Sequence, residues 1–148
     1  MKTRFTLSLL VALLSLTCWS TADEKPATTP EQTFVAFRDA FAAKDAAKVF
    51  ALVTGTEEEM ADLKIELEKT PAEMMEAIKS ATVVDSHVEG DAAVCLVSMS
   101  KPEKVVRPMF MALKDGKWLM TKSAEGVSQD KVPALKKWAE ERQKTLDK

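Results

Sequence analysis

The chain has no tyrosine, one histidine, two cysteines and four glycines among its 148 residues. Each scarcity removes a class of chemistry. With His87 the sole imidazole, and no C-x-x-C or H-x-x-x-H spacing, a zinc or other transition-metal centre lacks ligands, and neither a metal nor a cofactor is expected. The acidic run at 57–69 lacks the glycine and spaced oxygens of a calcium loop, so it reads as a solvated helical face. Basic residues do not outnumber acidic ones, 21 against 23, which argues against a nucleic-acid-binding stripe. Nor do the cysteines form a disulfide framework. Cys18 lies in an apolar leader, and Cys95, inside AAVCLVSM, reads as a buried small hydrophobe without the cationic neighbours of a reactive thiol.

What the chain does have begins with an address. Lys2 and Arg4 precede an apolar run at 5–16, and Ser20 and Ala22 sit at the minus-three and minus-one positions of a cut before Asp23, the layout of a secretory signal peptide over residues 1–22. The run is too short to cross a bilayer, which takes about 20 apolar residues. Lipidation at Cys18 is the lesser alternative, because Ser15-Leu16-Thr17 matches a bacterial lipobox poorly. Removing 22 residues leaves 126 and takes the formal charge from −2 to −4, since Lys2 and Arg4 go with the leader. The expected product is one secreted or periplasmic domain, with no membrane span, after a polar lead-in at 23–28.

Helix signals follow. Thr29-Pro30-Glu31-Gln32 is a capping box with proline at the first helical position, and Phe34, Phe37 and Phe41 then recur on one face, with Arg38 and Lys44 on the other. Asp45 is placed to cap a second short helix that Gly55 stops. Thr56 with Glu59, and Thr70-Pro71 with Glu73, read as further boxes opening helices with Met60, Leu63 and Leu67, then Met74, Met75 and Ile78, inward. From Ala81 the period shortens to two. Hairpins turn at Gly90-Asp91 and at Asp115-Gly116, the second joining the apolar runs of VVRPMFMALKDGKWLMTK at 105–122. Asp130 is then placed to cap a last helix with Leu135, Trp138, Arg142 and Leu146 on one face. The expectation is α+β: amino-terminal helices packed on a curved, cone-like, four-stranded antiparallel sheet, with an extra carboxy-terminal helix.

Two stretches resemble a known family. Residues 29–53, TPEQTFVAFRDAFAAKDAAKVFALV, resemble the opening of the nuclear transport factor 2-like superfamily, a helix with spaced aromatics and a Lys-Asp step into a short second helix. Residues 113–120, LKDGKWLM, are similar to that family's late hairpin. The helical stretch at 56–80 and the helix after the last strand depart from the pattern. The resemblance implies a single domain over 29–148 with a pocket between helices and sheet. It implies no one function, because the family holds isomerases, cyclases, dehydratases, transport factors and non-enzymatic domains. The isomerase arrangement uses a tyrosine donor, which this chain lacks.

The remaining polar candidates are Asp85, His87, Glu89 and Arg107. Across a two-residue Gly90-Asp91 turn, Ser86 opposes Cys95 and His87 opposes Val94, which puts Asp85, His87 and Glu89 on the face of Val83, Val94 and Leu96. The reading adopted is non-enzymatic: a domain that binds a small apolar ligand or a protein partner, with a small lyase or isomerase using His87 and Asp85 as the alternative. A ligand pocket would be walled by Phe34, Phe37 and Phe41, with Met109, Met111, Trp118 and Met120 opposite and Arg107 fixing an anionic end. A closed core is what the same residues would otherwise form. Both faces of the 105–122 hairpin are apolar, so each must be covered, the second by the last helix or by a weak homodimer.

Overall fold

The computed structural model describes residues 28–100 and 103–146. The expected signal peptide, Cys18 and nearly all of the lead-in lie outside the described residues.

The first helix, α1 (Pro30–Ala42), opens with the expected box: the Gln32 amide donates to Thr29 Oγ1 at 3.2 Å, and the Thr29 amide to Gln32 Oε1 at 3.0 Å. It ends in a Schellman motif. Lys44 takes the left-handed conformation, φ 55°, its amide reaching Phe41 O and that of Asp45 reaching Ala40 O. The Asp45 side chain then caps α2 (Ala46–Ala51). Thr56 and Glu59 form the second box, opening α3 (Glu57–Lys69).

The third expected box is absent. Thr70 instead closes α3, both its amide and its hydroxyl donating to Glu66 O, and α4 (Ala72–Lys79) starts from Pro71 with no side-chain cap. Thr-Pro can end one helix as readily as begin the next, and here the carbonyls at the end of α3 are the nearer partners.

The sheet has five strands rather than four antiparallel ones. β2 (Thr82–Glu89), β3 (Ala92–Met99), β4 (Val105–Lys114) and β5 (Lys117–Thr121) form the two expected hairpins, and β1 (Val53–Thr54) lies parallel to β5, giving the order β1-β5-β4-β3-β2. Val53 therefore belongs to a strand and not to α2, which stops at Ala51 before Gly55 is reached. Two residues show no period, so β1 is invisible to pattern. It is set by tertiary contact, the Met120 amide donating to Leu52 O at 2.8 Å.

In the second hairpin Asp115 and Gly116 both have positive φ, 50° and 73°, as a type I′ turn needs, and the register pairs Leu113 with Trp118 and Met111 with Met120 as expected. In the first, Ser86 opposes Cys95 and His87 opposes Val94, also as expected. A bulge intervenes between Val83 and Asp85. Val83 consequently faces the α1 side, opposite Val97, while Asp85 faces the other side, opposite Leu96; the expectation that they share a face fails on this one extra residue.

β3 is buried along nearly its whole length, because both faces of the sheet are covered. On one face Phe34 of α1 packs with Cys95, Met111, Trp118 and Met120. On the other, α5 (Val132–Leu146) of the same chain lays Leu135 and Ala139 over Val94, Leu96 and Ala112. A third cluster, with Phe41, Val49, Leu67 and Met75, joins the four amino-terminal helices to one another. No helix among the described residues is long and apolar enough to cross a membrane.

Candidate functional site

The α1 face of the sheet is not closed along its whole length. Between α1, α3 and α4 above and β3 and β4 below lies a cavity of about 390 Å³. The spacing of three phenylalanines along α1 puts Phe34, Phe37 and Phe41 on its roof, Met74 and Ile78 of α4 form one wall, and Val97, Met99 and Met109 form the floor. Three charged residues reach it, Arg38, Arg107 and Glu66.

A second, smaller chamber of about 160 Å³ lies alongside. It shares Phe37, Leu63, Glu66 and Met109 with the first and extends between Met60 of α3, Val53 of β1 and Met120 of β5.

Of the lining expected from sequence, Phe34, Phe37, Phe41, Arg107 and Met109 come together in the larger chamber, and Met120 lines the smaller one. Met111 and Trp118 line neither. They point to the same face but nearer the hairpin turn, where the first turn of α1 sits directly on β5, with Thr33 Oγ1 donating to Trp118 O at 3.3 Å; both are packed core, Trp118 only 4% exposed and Met111 fully buried.

Arg38 was expected on the outer side of α1. Its side chain instead crosses to β2, Nη1 donating to Ala81 O at 3.0 Å while Nε and Nη2 hold Asp39 Oδ1 at 2.8 Å. Arg107 is different. It is exposed, stands at the cavity, and has no ion-pair partner among the described residues. Of the wall residues not anticipated, Met74 and Ile78 lay on an apolar stripe already visible in sequence; Glu66 did not, being one acid among many on α3.

The Asp85, His87 and Glu89 group lies on the opposite face of the sheet, under α5. His87 Nε2 meets Glu89 Oε1 at 2.8 Å and its ring stacks on Trp138, centroids 5.2 Å apart and planes 15° from parallel. The Asp85 carboxylate receives Arg142 Nε and its neighbour's amide, from Ser86, rather than the imidazole. None of the three lines either chamber.

Cys95, in the sheet beneath Phe34, has its thiol pushed up to about 12, first by burial and then by the negative charge of Glu31. Glu31 itself lies below the ordinary carboxylate range. Burial works to raise it, but hydrogen bonds from Ser86, Thr29 and its own amide outweigh that. Among the described residues no group of three or more His, Cys, Asp or Glu could hold a metal ion.

No protein-family model and no curated protein matches the sequence. Among solved structures, a chain from Campylobacter jejuni described as an NTF2-like transpeptidase is similar at 17% identity, with 65% of this chain and 100% of that chain covered and a TM-score of 0.42.

Proposed function

We propose that the chain is an exported, non-enzymatic binding domain that holds a small apolar molecule in the larger chamber, with Arg107 meeting an anionic end. The observation that carries this is the lining: a cavity of about 390 Å³ walled by phenylalanine, methionine, isoleucine and valine, with a guanidinium at its edge that has no ion-pair partner among the described residues. Contacts of that kind are non-directional and hold apolar surface, while one cation orients it. His87 and Asp85, the pair that a lyase or isomerase reading calls on, stand on the other side of the sheet, and the one carboxylate lining the chamber is that of the exposed Glu66. Export rests on the leader pattern at 1–22. With α5 covering the second face from within the chain, a monomer is the proposed solution state, to be checked by light scattering at micromolar concentration.

Titration with a polarity-sensitive fluorescent fatty acid tests the reading. Met74 lines the chamber yet is 49% exposed, so Met74→Asp should fold normally and bind at least tenfold more weakly, a charge being unable to leave water for an apolar wall. Arg107→Gln should weaken an acid by about two- to fivefold, as for an exposed ion pair, and leave the matching alcohol unaffected. Equal binding by wild type and Met74→Asp would place the ligand elsewhere.

A further inference from the structure

Two features of the cavity system point past a generic apolar ligand. The chambers adjoin at four residues common to both, Phe37, Leu63, Glu66 and Met109, of which the first two and Met109 are half-buried. Leucine and methionine change rotamer easily, and methionine adapts its shape to what it touches, so the partition can open without any strand or helix being displaced. The charges, moreover, are unequal at the two ends. The larger chamber carries Arg107, unpaired among the described residues, and Arg38, tied to Asp39, whereas the smaller carries Lys122 already held by Asp62 at 3.0 Å with Glu59 beside it; Glu66 lies between them and lines both. An anionic group is therefore favoured at the first end over the second, where Val53, Met60 and Met120 supply apolar wall beside Thr54 and Thr121.

We infer that the ligand is a single-chain amphiphile with one anionic headgroup, its head at Arg107 and its chain passing between Phe37 and Met109 to end in the smaller chamber beneath α3. This rests on the reading of the larger chamber as a binding site and adds the class and direction of what it holds. Compact ring acids would fill the first chamber and leave the second unused; a linear chain fills both. Helix α3 lines both chambers with Leu63 and Glu66 and adds Met60 to the smaller, while Leu67 is its one buried residue. The chain would complete its inner face.

A series of straight-chain saturated carboxylic acids, from about six to about sixteen carbons, reads this directly by displacement of a fluorescent fatty acid. Each methylene placed between apolar walls should tighten binding about fourfold until the chain reaches the far wall, after which affinity stops rising. Met60→Trp narrows the smaller chamber from a half-buried position on α3, and Val53→Phe narrows it from the opposite wall, so that a folding defect in one variant is not mistaken for the effect. Both should move the plateau to shorter chains and leave the shortest acids binding as in wild type. A plateau at the same length in wild type and both variants would overturn the two-chamber path, as would a compact bicyclic aromatic acid binding more tightly than every chain. Absence of binding by any acid, long, short or cyclic, would defeat the apolar-ligand reading itself, and the inference with it.

Discussion

His87 lies flat against Trp138, so the one imidazole in the chain joins an edge strand to the last helix. Arg142 reaches from the same helix to Asp85 of the same strand. A stacked aromatic pair of this kind contributes about 0.5–1.5 kcal/mol. His87→Ala should therefore lower the unfolding free energy by about 1 kcal/mol in a denaturant titration and leave acid binding unchanged. A tenfold loss of ligand affinity in that variant would bring the β2 histidine back into the functional site.

Cys95 gives a pH signature. Its folded pKa is raised, from an ordinary 9.0 to about 12, so below pH 9 both folded and unfolded chains keep a neutral thiol and the group carries no penalty. Between pH 9 and 12 only the unfolded chain ionises, and stability falls as pH rises through that window, by about 1.4 kcal/mol per pH unit. Unfolding titrations of wild type and Cys95→Ala should diverge above pH 9, the variant lacking this slope. In the native state the thiol should not react with an aromatic disulfide reagent until denaturant is added.

Two glycines should fail for different reasons when changed to alanine. At Gly116 a Cβ would meet nothing within 4 Å, so the cost is conformational alone, that of an L-residue at φ 73°, about 1–2 kcal/mol. At Gly126, whose φ is unremarkable, the added atom would lie 2.7 Å from Thr121 Cβ. Thr121 is buried and its hydroxyl is held between Phe110 O and Ser123 O, so it cannot turn away, and overpacking of about 1–3 kcal/mol is expected. In thermal melts Thr121→Ser should recover part of the loss when combined with Gly126→Ala and none of it when combined with Gly116→Ala.

Lys44 occupies the left-handed position after α1 that glycine usually fills. Among the described residues its side chain makes one contact, an exposed one to Glu68 O at 3.4 Å. Lys44→Gly should raise the unfolding free energy, by up to about 1 kcal/mol, since relief of the positive φ exceeds the loss of that contact. A fall in stability would mean that the lysine has a role beyond the turn.

The parts of this fold that were legible are those with local causes. Thr29 and Thr56 announce helices because a hydroxyl and a side chain three residues on satisfy each other's amides, and Asp115-Gly116 sets the register of β4 and β5 because few residues accept its dihedrals. Three phenylalanines at helical spacing gave the cavity roof. The rest depended on distance in sequence. β1 exists only because Leu52 O finds the Met120 amide, and Arg38 turns inward only because Ala81 O is there to receive it. Met111 and Trp118 carry the same inward pattern as Met109, and only the seat of Thr33 on Trp118 separates closed core from open cavity along one face.

The extra residue on β2 has a consequence for life in solution. Val84 sits at the bulge, 42% exposed, on a strand whose outer edge no other strand among the described residues covers. Because the Gly90-Asp91 turn fixes the pairing from the other end, deleting Val84 would leave Asp85, Ser86 and His87 opposite the same partners and Val83 still opposite Val97; the ladder would simply become regular. The regular version, one residue shorter than the eight of β2, would offer an unbroken row of amides and carbonyls, beside the apolar Val88, to any passing chain of its own kind. Fold and cavity would survive the deletion, and resistance to fibrous self-association would not.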